Sequence, residues 1–134
     1  MTAKGKIDHL GIAVKSIAEA RKFYEALGMQ VDAEETVEQE RVRTAMIPLG
    51  ESRIELLEAT DEASVIAKFI SKRGEGLHHV AIAVPDIYAA VEQMKRQGIR
   101  LVQEKVQVGA GGHLYVFVHP ASAGGVLVEL VQQA

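Results

Sequence analysis

The sequence predicts an α+β fold: two tandem βαβββ modules pairing into a curved, partly closed mixed sheet, with helices outside and a metal site in the cleft. Three observations carry this. Residues 7–14 and 77–84 are near copies of one apolar, strand-like segment, Ile7-Asp8-His9-Leu10-Gly11-Ile12-Ala13-Val14 and Leu77-His78-His79-Val80-Ala81-Ile82-Ala83-Val84. Each copy precedes a stretch of helical periodicity closed by a glycine, Gly28 or Gly98. Each half then ends in a matching strand, Ile54-Glu55-Leu56 or Val128-Glu129-Leu130. With residue 9 set against 79, identities fall at His9/His79, Ile12/Ile82, Ala13/Ala83, Val14/Val84, Ile17/Ile87, Ala20/Ala90 and Gly28/Gly98. A half of roughly 55–60 residues buries little core alone, and pairing two of them closes sheet edges. The expectation is one domain over residues 1–134: module one at about 6–59, a linker helix at about 61–73, and module two at about 76–132.

Taken in order, residues 7–14 form the first strand. Its alternation groups His9 with Ile7, Gly11 and Ala13, and sets Leu10, Ile12 and Val14 on the face that packs under helices. Small neighbours leave room beside the His9 imidazole. Ser16 and Glu19 make a capping box for a helix whose stripe is Ile17, Ala20, Tyr24 and Leu27. Residues 29–34 read as a short strand, and residues 34–40 as a loop or exposed strand end. Within the latter, Glu34, Glu35, Glu38 and Glu40 are a solvated acidic stretch. Strands follow over 42–49 and 53–58, around the turn Gly50-Glu51-Ser52. Thr60 or Asp61 opens a second helix with the stripe Val65, Ile66, Phe69 and Ile70, and Gly74-Glu75-Gly76 is the hinge into module two. There His79 lies with Leu77, Ala81 and Ala83. Asp86 caps a helix that turns Ile87, Ala90, Val91 and Met94 inward. Strands are expected at about 99–106, 113–119 and 126–132, with Gly109-Ala110-Gly111-Gly112 as a flexible turn and residues 119–125 as a long connection.

Composition narrows the function. A net charge of -3 gives no basic face for nucleic acid. There is no cysteine, hence no disulfide framework or thiolate zinc site, which suits a reducing cytoplasm. Met1-Thr2-Ala3-Lys4-Gly5-Lys6 leads straight into a strand without an apolar signal segment, and no run approaches the roughly 18 apolar residues of a membrane span. A soluble cytoplasmic protein with no membrane partner is therefore expected.

A lone histidine on a strand is ordinarily a core or surface residue. His9 and His79 are repeat-matched, have small neighbours, and are joined by repeat-matched Glu55 and Glu129. The His-to-Glu separation is 46 residues in the first half and 50 in the second, the difference falling around the Gly109–112 turn. Equivalent residues on the concave face of a duplicated unit converge on its pseudo-twofold axis. Two imidazoles and two carboxylates suit a divalent cation of the Zn, Co, Ni or Mn kind, with positions left open for water or substrate. His78 has the opposite phase and is read as structural. His113 and His119 have no repeat partner, and His119, in a loop before Pro120, is a candidate for substrate contact.

At these residues the chain resembles the vicinal oxygen chelate superfamily (glyoxalase, bleomycin resistance protein and dioxygenase) and, within it, the methylmalonyl-CoA epimerases. The likeness rests on residues 7–14, Gly76-Leu77-His78-His79-Val80-Ala81, Gly109-Ala110-Gly111-Gly112, His119-Pro120, Gly125-Val126-Leu127-Val128-Glu129-Leu130 and Ser64-Val65-Ile66-Ala67-Lys68-Phe69. It implies a metal held by His9, Glu55, His79 and Glu129, with cobalt favoured and Zn, Mn, Ni or Mg as alternatives. It also implies an acyl-CoA thioester substrate and a homodimer. The implied reaction interconverts the (2R) and (2S) forms of methylmalonyl-CoA: a carboxylate removes the C2 proton, a divalent cation offsets the charge built on the thioester oxygen, and the enediolate is reprotonated on its other face. Epimerisation needs a proton carrier on each face. The implied catalytic carboxylates are Glu129 and Glu55, with His119 on the substrate. Two departures stand out. Some relatives carry a second glutamate on the strand through Val42-Arg43-Thr44-Ala45, which falls here within two residues of Arg43; without it, either a water, Glu55 or a loop residue such as Glu38 serves, or the two-glutamate scheme does not apply. Ala121 stands where lysine often follows His-Pro. Two other activities fit the same fold: glyoxalase I-type lactoylglutathione lyase, and a non-catalytic small-molecule-binding module.

Overall fold

The computed structural model describes residues 5–133; the reading made for Met1-Thr2-Ala3-Lys4 lies outside them. The elements are β1 (Lys6–Ala13), α1 (Ile17–Ala26), β2 (Glu35–Val37), β3 (Val42–Leu49), β4 (Ser52–Ala59), α2 (Val65–Arg73), β5 (Gly76–Ala83), α3 (Ile87–Arg96), β6 (Gln107–Val108), β7 (Leu114–Val118) and β8 (Val128–Gln132). This is βαβββ twice, with α2 between the repeats, as expected from the internal duplication. The chain forms two compact units, residues 9–78 and residues 79–133 with 5–8.

In the unit of residues 9–78 the strand order is β2-β3-β4-β1. β1 runs parallel to β4 with Gly11 opposite Glu55, and the other pairs are antiparallel. Strand alternation splits the apolar residues between two faces. Val14, Ala45, Ile47 and Leu56 are buried with Ile17 of α1, joined by Ala20 and Tyr24. Ala13, Val42 and Leu57 face the other way and are covered by Ile66, Phe69 and Ile70 of α2. Burying an Ile or Leu of this kind contributes about 1.5–3 kcal/mol.

In the second unit the start of β1 flanks β5, followed by β8, β7 and β6. β5 is parallel to β8 with Ala81 opposite Glu129, the register of the first half repeated. Ile87 and Val91 of α3 pack on Val116, Val118 and Leu130.

The caps repeat as well. Ser16 Oγ accepts from Glu19 N–H and Asp86 Oδ1 from Ala89 N–H. Glu19 does not return the bond in the usual capping-box manner; its carboxylate sits 2.8 Å from Lys22 Nζ. After each helix Gly28 and Gly98 take φ of 84° and 76°, a left-handed turn that side chains resist. A repeated contact went unread in the sequence. The first N–H of α1 donates to Glu58 Oε1, and the first N–H of α3 to Gln132 Oε1, each at 2.7 Å. Glu58 and Gln132 each lie three residues beyond a candidate ligand glutamate. Each thereby ties a helix N-terminus to the strand that carries the ligand.

Four expected elements differ. Residues 29–34 are not a strand: Asp32 N–H reaches Met46 O at 2.8 Å, while Met29 and Val31 spend their alternation packing on the α1 core. The strand lies just beyond, at β2. Leu27 ends the helical stripe but is 59% exposed, past the last turn that faces the sheet. The second helix starts at Val65, not at 60–61. Asp61 Oδ1 instead caps a turn by accepting from Ala63 N–H at 2.8 Å, and buried Ser64 is the N-cap, its Oγ accepting from Ile66 N–H at 3.1 Å. Residues 99–106 form only an isolated bridge, Leu101 to Val118. There Phe117 N–H bonds to the side-chain carbonyl of Gln103 at 2.9 Å, which breaks a backbone ladder.

Because Ser64 is buried, its loss leaves an orphan N–H with no water to replace it. Ser64→Ala is expected to lower stability by about 1–2 kcal/mol, read as a lower urea midpoint at constant slope.

Candidate metal centre

Each half builds one histidine–glutamate pair by the same route. His9 on β1 precedes by two residues the position in register with Glu55 of the parallel strand β4. His79 on β5 has the same relation to Glu129 of β8. The small residues Gly11 and Ala81 stand between, so the longer side chains reach past them. His9 Nε2 lies 3.4 Å from Glu55 Oε1, and His79 Nε2 lies 3.2 Å from Glu129 Oε1. His9, His79 and Glu129 are buried, at 6%, 5% and 7% exposure.

These distances bear on metal fit. Two donor atoms bound to one ion at about 2.0–2.2 Å lie roughly 2.8–3.6 Å apart, from square to tetrahedral angles. Both pairs fall in that range. The His9–Glu55 separation is longer than the roughly 2.7–3.2 Å of an ordinary N–H···O bond. A carboxylate withdrawn from water also requires an offsetting charge. The nitrogen and oxygen donors of each pair, and their spacing, therefore suit ligation of a divalent cation.

The surroundings of the pairs differ. Opposite Glu55 on β3 is Met46, and opposite Leu57 is Thr44. Arg43 lies on the other face. It is paired in register with Glu58, with guanidinium nitrogens 3.7 Å from Glu58 and 3.9 Å from Glu34. Strand phase thus turns Arg43 itself away from Glu55, while Thr44, within two residues of it, is on Glu55's face. The β3 residues sharing Glu55's face, Val42, Thr44, Met46 and Pro48, include no acid. Opposite Glu129 on β7 is Phe117, edge-on to His79 at 5.6 Å. Tyr115 stands edge-on to Phe117 at 6.0 Å, and His113 tilts over Tyr115 at 5.7 Å. None of these rings was singled out beside Glu129 from the sequence. The signal was present in the alternation of 113, 115 and 117 but is outweighed by the apolar run Leu114–Val118.

His78 points away from the pairs and stacks edge-on against Phe69 of α2 at 5.1 Å, a packing role. His119 opens the short 3-10 turn Pro120–Ser122, where its Nδ1 accepts from Ala121 N–H at 3.0 Å. In the neutral ring this puts the proton on Nε2 and leaves that nitrogen as a donor. Ala121 contributes only this backbone group to the loop. Among the described residues no helix is long and apolar enough to cross a membrane.

Comparison with known proteins accords with this arrangement. Residues 8–117 match the Glyoxalase/Bleomycin resistance protein/Dioxygenase superfamily. The human mitochondrial methylmalonyl-CoA epimerase is 39% identical over 130 residues, covering 96% of this chain and 74% of the relative. An ethylmalonyl-CoA/methylmalonyl-CoA epimerase of Cereibacter sphaeroides is 36% identical, covering 96% and 98%. A solved methylmalonyl-CoA epimerase in complex with methylmalonyl-CoA and NH4+ superimposes with a TM-score of 0.89 at 36% identity, covering 96% and 94%. With its repeated βαβββ unit and a His/Glu pair in each half, the chain belongs to the methylmalonyl-CoA epimerase family of that superfamily.

Proposed function

We propose that this protein interconverts the two C2 epimers of methylmalonyl-CoA, and that His9, Glu55, His79 and Glu129 share one divalent cation. The observation that carries this is the duplicated His/Glu pair, with metal-like spacing in each half, in a chain whose relatives bear that activity in their names. His9, His79 and Glu129 are all buried, and imidazole nitrogen and carboxylate oxygen are the donors such an ion takes. When bound, a divalent cation supplies positive charge beside the thioester oxygen.

The chain's own groups move the proton. Glu129 takes it from one face of C2, and the C–H electron pair passes toward the thioester carbonyl. Glu55, protonated at the start of the cycle, gives its proton to the opposite face of C2 as the electron pair returns from the carbonyl oxygen, and exchange with solvent then resets both carboxyl groups. Glu55 is assigned this second role because Arg43 has the wrong strand phase and β3 offers no acid on the right face. His119, with Nδ1 committed to Ala121, directs Nε2–H to the acyl-CoA. Cobalt as the native ion and a homodimer are assigned on family resemblance. The cytoplasm is assigned on the absence of cysteine, and one domain of two modules on the internal repeat.

The test is to incubate the metal-loaded protein with one epimer of methylmalonyl-CoA in heavy water. Metal-dependent deuteration at C2 with loss of chirality is expected. No exchange with Co, Mn, Zn or Ni would overturn the assignment, and turnover of methylglyoxal with glutathione would replace it by the glyoxalase I reaction.

A further inference from the structure

Around Glu129 the sheet face is lopsided. On the β5 side its neighbours are the His79 ring, with Nε2 3.2 Å from the carboxylate, and beyond it Ala81, in register with Glu129, and Ala83, side chains of one carbon. On the β7 side stand Phe117, in register with Glu129, and Tyr115, in register with Val131. Cross-strand partners have Cβ atoms about 4.5–5.5 Å apart, and diagonal neighbours are within reach of an aromatic ring. The two rings meet edge to face at 6.0 Å, with His113 against the outer side of Tyr115. His113 is itself held over backbone: a Cβ on Gly109 would come within 2.3 Å of its ring, so only glycine leaves space for it there. Gly109 N–H also donates to His113 O at 2.8 Å. The result is a buttressed series, Gly109–His113–Tyr115–Phe117, ending beside the carboxylate. The corresponding place in the first half is different. There Leu57 faces Thr44, and Ile66, Phe69 and Ile70 of α2 cover that part of the sheet.

We infer that the Phe117–Tyr115 wall, buttressed by His113, limits the size of the alkyl group on C2 that this enzyme accepts. The inference rests on the proposed epimerase reaction and concerns its specificity. A carbon that gives its proton to Glu129 carries an alkyl substituent alongside that carboxylate. Toward β5, past His79, the small side chains of Ala81 and Ala83 leave space for the thioester and the second carboxylate. Toward β7 the rings stop a chain longer than a methyl group. Tyr115 is a specificity residue acting through ring volume, and His113 a positioning residue acting through Tyr115.

The experiment measures kcat/KM for C2 epimerisation of methylmalonyl-CoA and ethylmalonyl-CoA in the full chain loaded with Co. Tyr115→Val and, as a second truncation, Tyr115→Leu should each lower the methyl-to-ethyl ratio about tenfold or more, the scale set by one methylene in a fitted pocket. Tyr115→Phe should keep the wild-type ratio. His113→Ala should shift the ratio in the same direction as Tyr115→Val, and His113→Phe should restore it. Tyr88→Ala, which alters an exposed ring on α3, should leave both constants unchanged. A folded Tyr115→Val or Tyr115→Leu protein with the wild-type ratio overturns the inference and leaves the epimerase assignment standing. So does a Tyr115→Phe protein altered as much as Tyr115→Val, because the hydroxyl would then be the operative group. Wild-type protein inactive on both thioesters overturns the assignment and the inference together.

Discussion

Glu129→Gln is expected to lower the rate of C2 exchange by about 10²–10⁴-fold while leaving the fold intact. The amide has nearly the volume of the carboxylate, so the space between Ala81 and Phe117 stays filled. What is lost is the negative charge and, with it, the proton acceptor. The same change weakens a ligand, because a neutral amide is a poorer donor to a divalent cation than a carboxylate. Two measurements separate these losses. Metal content after gel filtration reports the ligand, and exchange at saturating metal reports the base. Exchange that survives at saturating metal would remove Glu129 from the chemistry. Glu55→Gln has a distinct signature. If Glu129 strips the proton and Glu55 returns one to the opposite face, losing Glu55 leaves C2 able to exchange from one face only. Deuterium then enters one epimer while inversion falls behind. Exchange and inversion falling together would instead make Glu55 a ligand alone, and a water would be the second carrier.

The duplicated pairs were legible because two simple periods coincide on them. The strand period of two puts each histidine on a face of small residues, and the repeat carries the glutamates to equivalent strands. Other features obey interactions that such periods do not encode. Met29 and Val31 alternate like a strand, yet their alternation serves packing on α1, and the paired strand forms further on at Glu35–Val37. Residues 99–106 have an acceptable strand composition, but Gln103 substitutes its side chain for a backbone acceptor. Asp61 resembles an N-cap and is one for a turn; the buried Ser64 caps the helix. Arg43 is the instructive case for function. Its distance along the chain placed it near the second proton carrier, but its phase on β3 pairs it with Glu58 on the opposite face. Phase within a strand decides chemistry more sharply than position in the chain, since a single residue reverses the face.

That rule gives the other large effect, at two adjacent histidines. His79→Ala should abolish the rise in melting temperature produced by divalent metal. His78→Ala should lower the melting temperature of the metal-free protein and leave that rise in place. Metal at a hundredfold excess over its Kd stabilises the native state by about 2.7 kcal/mol, on the order of 10 °C for a domain of this size. His79 is buried beside Glu129 at a separation suited to a shared ion, so its removal takes that linkage away. His78 meets Phe69 edge-on, a contact of about 0.5–1.5 kcal/mol beyond its buried area, and its loss loosens the packing of α2. Calorimetric scans with and without Co read both variants directly. The reverse outcome, with His78 required for the metal-induced shift and His79 dispensable, would mean that β5 is one residue out of phase. The Ala81–Glu129 register and the metal centre built on it would then fail together.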